Sequence, residues 1–151
     1  MKGYIFKLAP VLKMRKLQED LAKQELGRLY VERQNILDLI ESENQDIDQA
    51  YHEQSELLKK GMTGREVVFF PQVVEAKNQR IKILQGQVSA LDRKIEAQKH
   101  TLTLKRADVK VMTSMQEKDF AQWKKSYQKK TEENLEELVQ SWRQIEGLGN
   151  D

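Results

Sequence analysis

Apolar residues recur every three or four positions along most of the chain, in two blocks separated by one break. The break is Lys60-Gly61-Met62-Thr63-Gly64, where two glycines favour the end of a helix. Thr63 and Glu66 then have the spacing of a capping box, which opens a new helix. The pattern predicts helix 1 at about residues 8–60, a turn at about 61–65 and helix 2 at about 66–146.

In both blocks the apolar residues follow a seven-residue repeat whose first and fourth positions form a seam. The apolar seam positions of the first block are Ile5, Leu8, Leu12, Ala22, Leu26, Leu29, Ile36, Ile40, Ile47, Ala50 and Leu57. Those of the second block are Val67, Phe70, Val74, Ile81, Leu84, Val88, Leu91, Ile95, Leu102, Val109 and Met112. Such sustained spacing predicts a left-handed coiled coil. Two seams joined by a short turn fold most simply into a long antiparallel two-helix coiled-coil hairpin, an all-α fold.

Folding the chain about residue 63 predicts which parts of the two helices meet. Ile40 then faces the region of Gly86, and Leu12 faces the region of Ser114. Helix 2 is the longer helix, so its end overhangs the N-terminus of helix 1. We therefore expect the C-terminal aromatic residues to lack an obvious partner within the chain.

The start of helix 2 is irregular in two ways. Pro71 lies about two turns into the helix and removes one backbone hydrogen bond. We therefore expect a kink there, or a short turn at 64–69 followed by a restart. The run Val67-Val68-Phe69-Phe70 is too apolar for one seam position. Val68 and Phe69 either cover the turn or form a contact patch.

Composition narrows the possible functions. The chain has 151 residues, of which 33% are charged, and no cysteine, which excludes disulfides and thiolate sites. A net charge of +2 is too weak for a nucleic-acid-binding protein. His52 and His100 lie far apart in separate blocks, and no phosphate loop or nucleophile motif occurs. No apolar run is long enough to insert into a membrane. We expect a protein that is not an enzyme and needs no cofactor or metal.

Charge is unevenly distributed along the hairpin. Seven acids and no base occupy residues 38–56, and they form either a solvated helix face or a docking surface for a basic partner. The opposite end is basic. Its basic residues include Lys2, Lys7, Lys13, Arg15, Lys16, Lys118, Lys124, Lys125, Lys129 and Lys130. Aromatic residues accompany them, namely Tyr4, Phe6, Phe120, Trp123 and Tyr127. These rings either cap the end of the coiled coil or anchor a protein partner.

The opening segment Phe6-Lys-Leu8-Ala-Pro-Val-Leu12-Lys-Met-Arg15 resembles the start of the FliJ family of flagellar type III export proteins. The run Arg106-Ala-Asp-Val-Lys110, the segment from Met112 to Lys118 and the later Glu133-Asn-Leu-Glu136-Glu137 are also similar to that family. The resemblance covers nearly the whole chain. It implies an antiparallel hairpin similar to the central stalk of rotary ATP synthases.

The resemblance also implies partners and a location. Members of the family act in the cytoplasm at the inner-membrane base of the flagellum. They bind the hexameric export ATPase as a stalk, promote its assembly, link it to the export gate protein FlhA and escort export chaperones. We expect the free chain to be monomeric. Two alternatives stay open: a homo-oligomeric scaffold joined through the C-terminal aromatic residues, and the equivalent stalk of a virulence injectisome.

Carried over to this sequence, the resemblance names two sets of residues. The ATPase-binding set is Phe6, Leu8, Leu12, Arg15, Arg106 and Lys110. The gate-binding set is Leu39, Glu43, Asp46, Phe70, Val73, Lys77 and Arg80.

Overall fold

A computed structural model describes residues 3–149; Lys2, part of the expected basic end, lies outside this range. The chain forms two helices, α1 at Ala9–Lys60 and α2 at Gly64–Gly149. They pack against each other, and the described residues contain no strand. This confirms the predicted all-α helical hairpin.

The reversal between the helices is held by its backbone and by a cap. Gly61 has a φ of 91°, which favours glycine because a Cβ atom would be strained there. The Thr63 N–H donates to Glu66 Oε2 at 3.2 Å, and the Glu66 N–H donates to Thr63 Oγ1 at 3.4 Å. These two bonds form the predicted capping box and satisfy donors at the start of α2.

Pro71 lies inside α2, and the helix is continuous through it. The expectation of a short turn at 64–69 followed by a restart is therefore wrong. Proline removes one intrahelical donor, but Phe70 and Val74 are buried against Ala50. Their packing holds the helix on both sides of the proline.

Contact clustering divides the chain into two units, of which unit 2 spans Asp20–Leu104. Its core contains a cluster of Leu29, Leu91 and Ile95 and a second cluster around Phe70 near the turn. The Arg33 Nε–H donates to Asp92 Oδ1 at 2.6 Å across the two helices. Partners later in α2 thus meet earlier residues of α1, as an antiparallel pair requires.

Unit 1 combines residues 1–19 with residues 105–151. Its core is a cluster of Phe6, Leu12 and Met112. Leu12 therefore packs nearer to Met112 than to the Ser114 region expected from the pattern. The reason is that the reversal between Lys60 and Gly64 centres on residue 62 and not on residue 63.

Three residues assigned to the seam are exposed, namely Ile5, Leu8 and Val67. Ile5 is 76% exposed because α1 begins only at Ala9, so the seven-residue repeat does not extend to it. The Ala9 N–H donates to the Phe6 carbonyl at 3.1 Å, and this turn brings Phe6 into the core in place of Ile5. Val67 is 48% exposed, since the burial of Phe70 sets the rotation of the first turns of α2.

Candidate protein-binding surfaces

An aromatic cluster covers one end of the unit 1 core. The ring of Tyr4 lies edge-on to Phe120, with centroids 5.1 Å apart, and 5.6 Å from Trp123. Trp123 in turn stacks on Tyr127 at 5.3 Å. The Tyr4 hydroxyl donates to Asp119 Oδ2 at 3.0 Å. Desolvation raises the pKa of Tyr4, and its hydrogen bond to Asp119 raises it further. Of the two readings of these rings, their mutual contact supports the cap.

A groove of about 710 Å³ runs beside this cluster within unit 1. Its lining residues are Tyr4, Ile5, Phe6, Lys7, Leu8, Met115, Lys118, Asp119, Gln122, Trp123 and Ser126. Ile5 is exposed beside it, and two lysines lie on its wall. The groove can accept an apolar side chain from a partner whose surface carries acidic groups.

The six residues of the ATPase-binding set all lie in unit 1, but they differ in position. Phe6 and Leu12 are buried and hold the core together. Leu8 and Lys110 are exposed and free to touch a partner protein.

The two arginines of that set bridge the helices. Arg15 Nη1 lies 3.5 Å from Asp108 Oδ2, and Arg106 Nε lies 3.9 Å from Glu19 Oε1. Both guanidinium groups are still substantially exposed, so they can also face an acidic partner. Each arginine can therefore stabilise the pairing of the helices and also contact a partner protein.

The residues of the gate-binding set all lie in unit 2, around a buried carboxylate. Glu43 is only 7% exposed. Its Oε2 lies 3.1 Å from Lys77 Nζ, and its Oε1 lies 3.4 Å from Arg80 Nε. Lys77 Nζ also lies 3.1 Å from Asp46 Oδ2. The hydrogen bond to Glu43, followed by that to Asp46, raises the pKa of Lys77.

Burial divides the gate-binding set in two. Phe70 lies in the core beside Val74, and Val73 is half-buried next to it. Leu39, Asp46 and Arg80 are exposed. The exposed three can meet a partner while the two helices stay paired.

The apolar run at the start of α2 is largely on the surface. Val68 and Phe69 are exposed, and the Phe69 ring makes an edge contact with Phe70 at 5.7 Å. A groove of about 640 Å³ lies along Val67, Val68, Pro71 and neighbouring residues. This arrangement favours a contact patch over a cover for the turn.

Within the described range, every residue of α2 from Lys124 to Gly149 is exposed. This C-terminal segment carries a stripe of large apolar side chains, and we call it the ridge. The ridge consists of Leu135, Leu138, Val139, Trp142 and Ile145. Trp142 has no ring partner among the described residues, whereas Trp123, which was also expected to lack a partner within the chain, contacts Tyr4.

Sequence reasoning missed a second exposed apolar stripe on α2. Val111 and Met115 are exposed beside Ala107 and Ser114, and a groove of about 430 Å³ lies along them. We call this surface the small-residue groove. The signal was present, because these residues repeat at helical spacing on the face opposite the seam.

Nothing else in the described residues suggests chemistry or membrane insertion. His52 and His100 are both exposed. No group of histidine and acidic residues within 3–149 could hold a metal ion. Neither described helix carries an apolar stretch that could cross a bilayer.

Comparisons with known proteins identify the family. The model of the family described as flagellar FliJ protein matches residues 4–144. No curated protein matches the chain, and no solved structure matches it. The family match includes both helices, the aromatic cluster and most of the ridge. The chain belongs to the FliJ family of flagellar proteins.

Proposed function

We propose that the chain is a non-catalytic stalk of the flagellar export ATPase, which binds the hexameric ring through unit 1 and promotes its assembly and activity. Membership of the FliJ family makes the chain a component of the flagellar type III export apparatus. A flagellar stalk is accordingly preferred to an injectisome stalk. The observation that carries the proposal is the closed, aromatic-capped end of unit 1 with cations exposed around it.

The end of unit 1 is suited to insertion into a ring because it is both packed and charged. Phe6 and Leu12 are buried, and so they fix the shape of the end. Leu8 and Lys110 are exposed and supply contacts. Arginine also binds carboxylates through a planar fork of donors, so Arg15 and Arg106 can engage acidic residues of the ring.

The test is ATP hydrolysis by the export ATPase of the same organism, with and without this chain at an equimolar ratio. We expect stimulation by the native chain and loss of stimulation on changing Arg15 and Arg106 together to Ala. The matched control is Arg33→Ala, since Arg33 also forms a cross-helix ion pair but lies in unit 2. Circular dichroism must show unchanged helicity for all variants.

Two results would contradict the stalk proposal. One is an active ATPase that does not respond to the native chain. The other is an equal loss of stimulation from Arg33→Ala, because that result would reflect a weakened hairpin and not a ring-binding end.

The link to the export gate protein FlhA is the second part of the proposal. Leu39, Asp46 and Arg80 form its contact surface, and the buried Glu43 and Phe70 hold that surface in place. Binding of FlhA should weaken on changing Leu39 and Arg80 together to Ala. The control is Leu58→Ala, an exposed leucine of the same unit that is not in the set. If Leu58→Ala weakened FlhA binding equally, the assignment of the contact surface would be wrong.

Escort of export chaperones, and a place at the cytoplasmic face of the inner membrane, complete the proposal on the strength of the family alone. A homo-oligomeric scaffold is the second candidate function. It is favoured by one observation, the exposed ridge of the C-terminal segment. A scaffold would have the molecular mass of the same oligomer with or without the ATPase. A stalk would bind the ring as a single chain.

A further inference from the structure

Unit 1 carries two exposed apolar surfaces on the same helix. The ridge projects large side chains, among them Trp142 at 70% exposure. The small-residue groove, about four seven-residue repeats earlier in α2, is lined by Ala107, Val111 and Ser114 with Met115 at its edge. Within the described residues, neither surface is covered by another part of the chain.

The two surfaces are complementary in size. The groove is shallow because Ala107 and Ser114 flank Val111, and its volume is about 430 Å³. The ridge offers the large side chains of Leu138 and Trp142 on one face of a helix, around a concavity of about 460 Å³. Large residues of one helix pack into the gaps left by small residues of another, as in other helix pairs.

The two surfaces are also complementary in charge. Lys110 and Lys118 border the groove. Glu146 and Arg143 border the ridge, and Glu132 and Glu136 lie at neighbouring helical positions, so three acids and one base accompany it. None of these lysines and glutamates takes part in a salt bridge within residues 3–149. Apolar contact between ridge and groove would therefore bring unpaired charges of opposite sign together.

The spacing determines how a partner can lie. Val111 and Val139 are roughly 42 Å apart along the helix. The ridge therefore cannot reach the groove of its own chain. In an antiparallel pair of α2 helices from two chains, however, each ridge meets the groove of the other chain, and Lys118 comes opposite Glu132. The arrangement closes on itself with two-fold symmetry, the commonest form of homodimer.

We propose that a second copy of this chain covers both surfaces, in an antiparallel α2–α2 dimer with two identical ridge-in-groove contacts. Lys124 and Lys125 of the two copies approach each other near the symmetry axis, so the dimer is weak and reversible. It replaces the expectation of a monomeric free chain. It concerns the chain in the absence of the ATPase, because Lys110 belongs both to this contact and to the ATPase-binding set.

The test is sedimentation equilibrium of the full chain over a range of concentrations, with charge-swap variants. The first variant, Lys110→Glu with Lys118→Glu, has an acidic groove and an acidic ridge. The second, Glu132→Lys with Glu136→Lys, has a basic groove and a basic ridge. We expect each variant alone to dimerise about tenfold more weakly than the native chain, since like charges then face each other. An equimolar mixture of the two variants should dimerise again, because opposite charges meet at both contacts.

The control is Lys82→Glu, which reverses an exposed charge in unit 2 and should leave the dimer unchanged. Circular dichroism confirms that the variants remain helical. A native chain that is monomeric at every concentration would overturn the proposal and assign the ridge to a different protein. The proposal would also be overturned if Lys110→Glu with Lys118→Glu did not weaken dimerisation. That result would indicate a contact between two ridges, which does not involve Lys110 or Lys118.

Discussion

Two stretches of α2 share the same kind of pattern but differ in what covers them. In unit 2, Leu84, Leu91 and Ile95 are almost fully buried between the helices. In the C-terminal segment, Leu135 and Leu138 also recur at helical spacing, in a shifted phase of the repeat, and are more than half exposed. The cause is length, since α1 has 52 residues and α2 has 86. The spacing of apolar residues thus indicates which face of a helix is suited to burial. The relative lengths of α1 and α2 determine whether the other helix is there to bury it.

The comparison is tested most strongly by shortening one leucine in each stretch. Leu91→Ala should lower the free energy of unfolding by about 2–5 kcal/mol, because it leaves a cavity in a packed cluster. Leu138→Ala should change it by less than about 0.5 kcal/mol, as expected for an exposed site. Both values come from urea denaturation followed by circular dichroism, at a concentration low enough to keep the chain monomeric. Similar losses for the two variants would show that the C-terminal segment is covered.

The buried carboxylate allows a second test within the paired stretch. Glu43→Leu combined with Lys77→Leu should leave the free energy of unfolding unchanged or raise it by about 1–4 kcal/mol, because replacing both partners of a buried ion pair removes its desolvation cost. The matched control is Glu41→Leu, an exposed acid on the same helix whose replacement should have little effect. A large loss of stability from this double variant, measured in the same denaturation assay, would instead show that the ion pair of Glu43 and Lys77 is a net source of stability.

Two glycines sharpen the comparison at the level of the backbone. Gly86→Ala, inside α2, should stabilise the chain by about 0.5–1 kcal/mol, because nothing lies within 4 Å of the added Cβ atom. Gly61→Ala should destabilise it by about 1–2 kcal/mol, since the φ of 91° is unfavourable for alanine. Thermal unfolding of both variants measures the difference. The same sign for both would contradict the assigned turn.

The smallest effect concerns alkaline pH. The pKa of Lys77 is raised by its hydrogen bonds to Glu43 and Asp46, so its contribution to stability is complete below its ordinary pKa of 10.5. That contribution is lost as pH rises through the higher pKa of the folded state. Lys77→Arg should therefore reduce the fall in melting temperature between pH 9 and pH 12, since arginine stays charged. Lys129→Arg, in the C-terminal segment, is the control and should not reduce it.

The local patterns account for most of the fold. Leu12, Leu29 and Leu91 follow the repeat and are buried, and Thr63 forms the cap that its spacing with Glu66 predicts. Ile5 and Val67 show the limit of this reasoning. Periodicity does not state where a helix begins or how its first turn is rotated, and both properties depend on packing across the hairpin.

The candidate surfaces were less accessible to sequence reasoning than the fold. The burial of Phe6 depends on a turn before α1, and such a turn leaves no repeating pattern of apolar residues in the sequence. Glu43 lies between the seam residues Ile40 and Ile47 at the spacing of the repeat, which is consistent with its burial, but its pairing with both Lys77 and Arg80 depends on the cross-helix register. The small-residue groove escaped notice because Val111 and Met115 lie outside the seam. Whether these two residues bind a partner depends on which molecule contacts them, and the sequence of one chain does not identify that molecule.

The position of the single reversal has a consequence for how the chain folds. Phe70 and Ala50 meet across a short loop, whereas Tyr4 and Asp119 are 115 residues apart in sequence. Bringing distant segments together costs more chain entropy before any contact can repay it. The contact between Phe70 and Ala50 therefore costs less chain entropy to form than the contact between Tyr4 and Asp119. A partner that binds both Tyr4 and Asp119 would offset part of the larger cost.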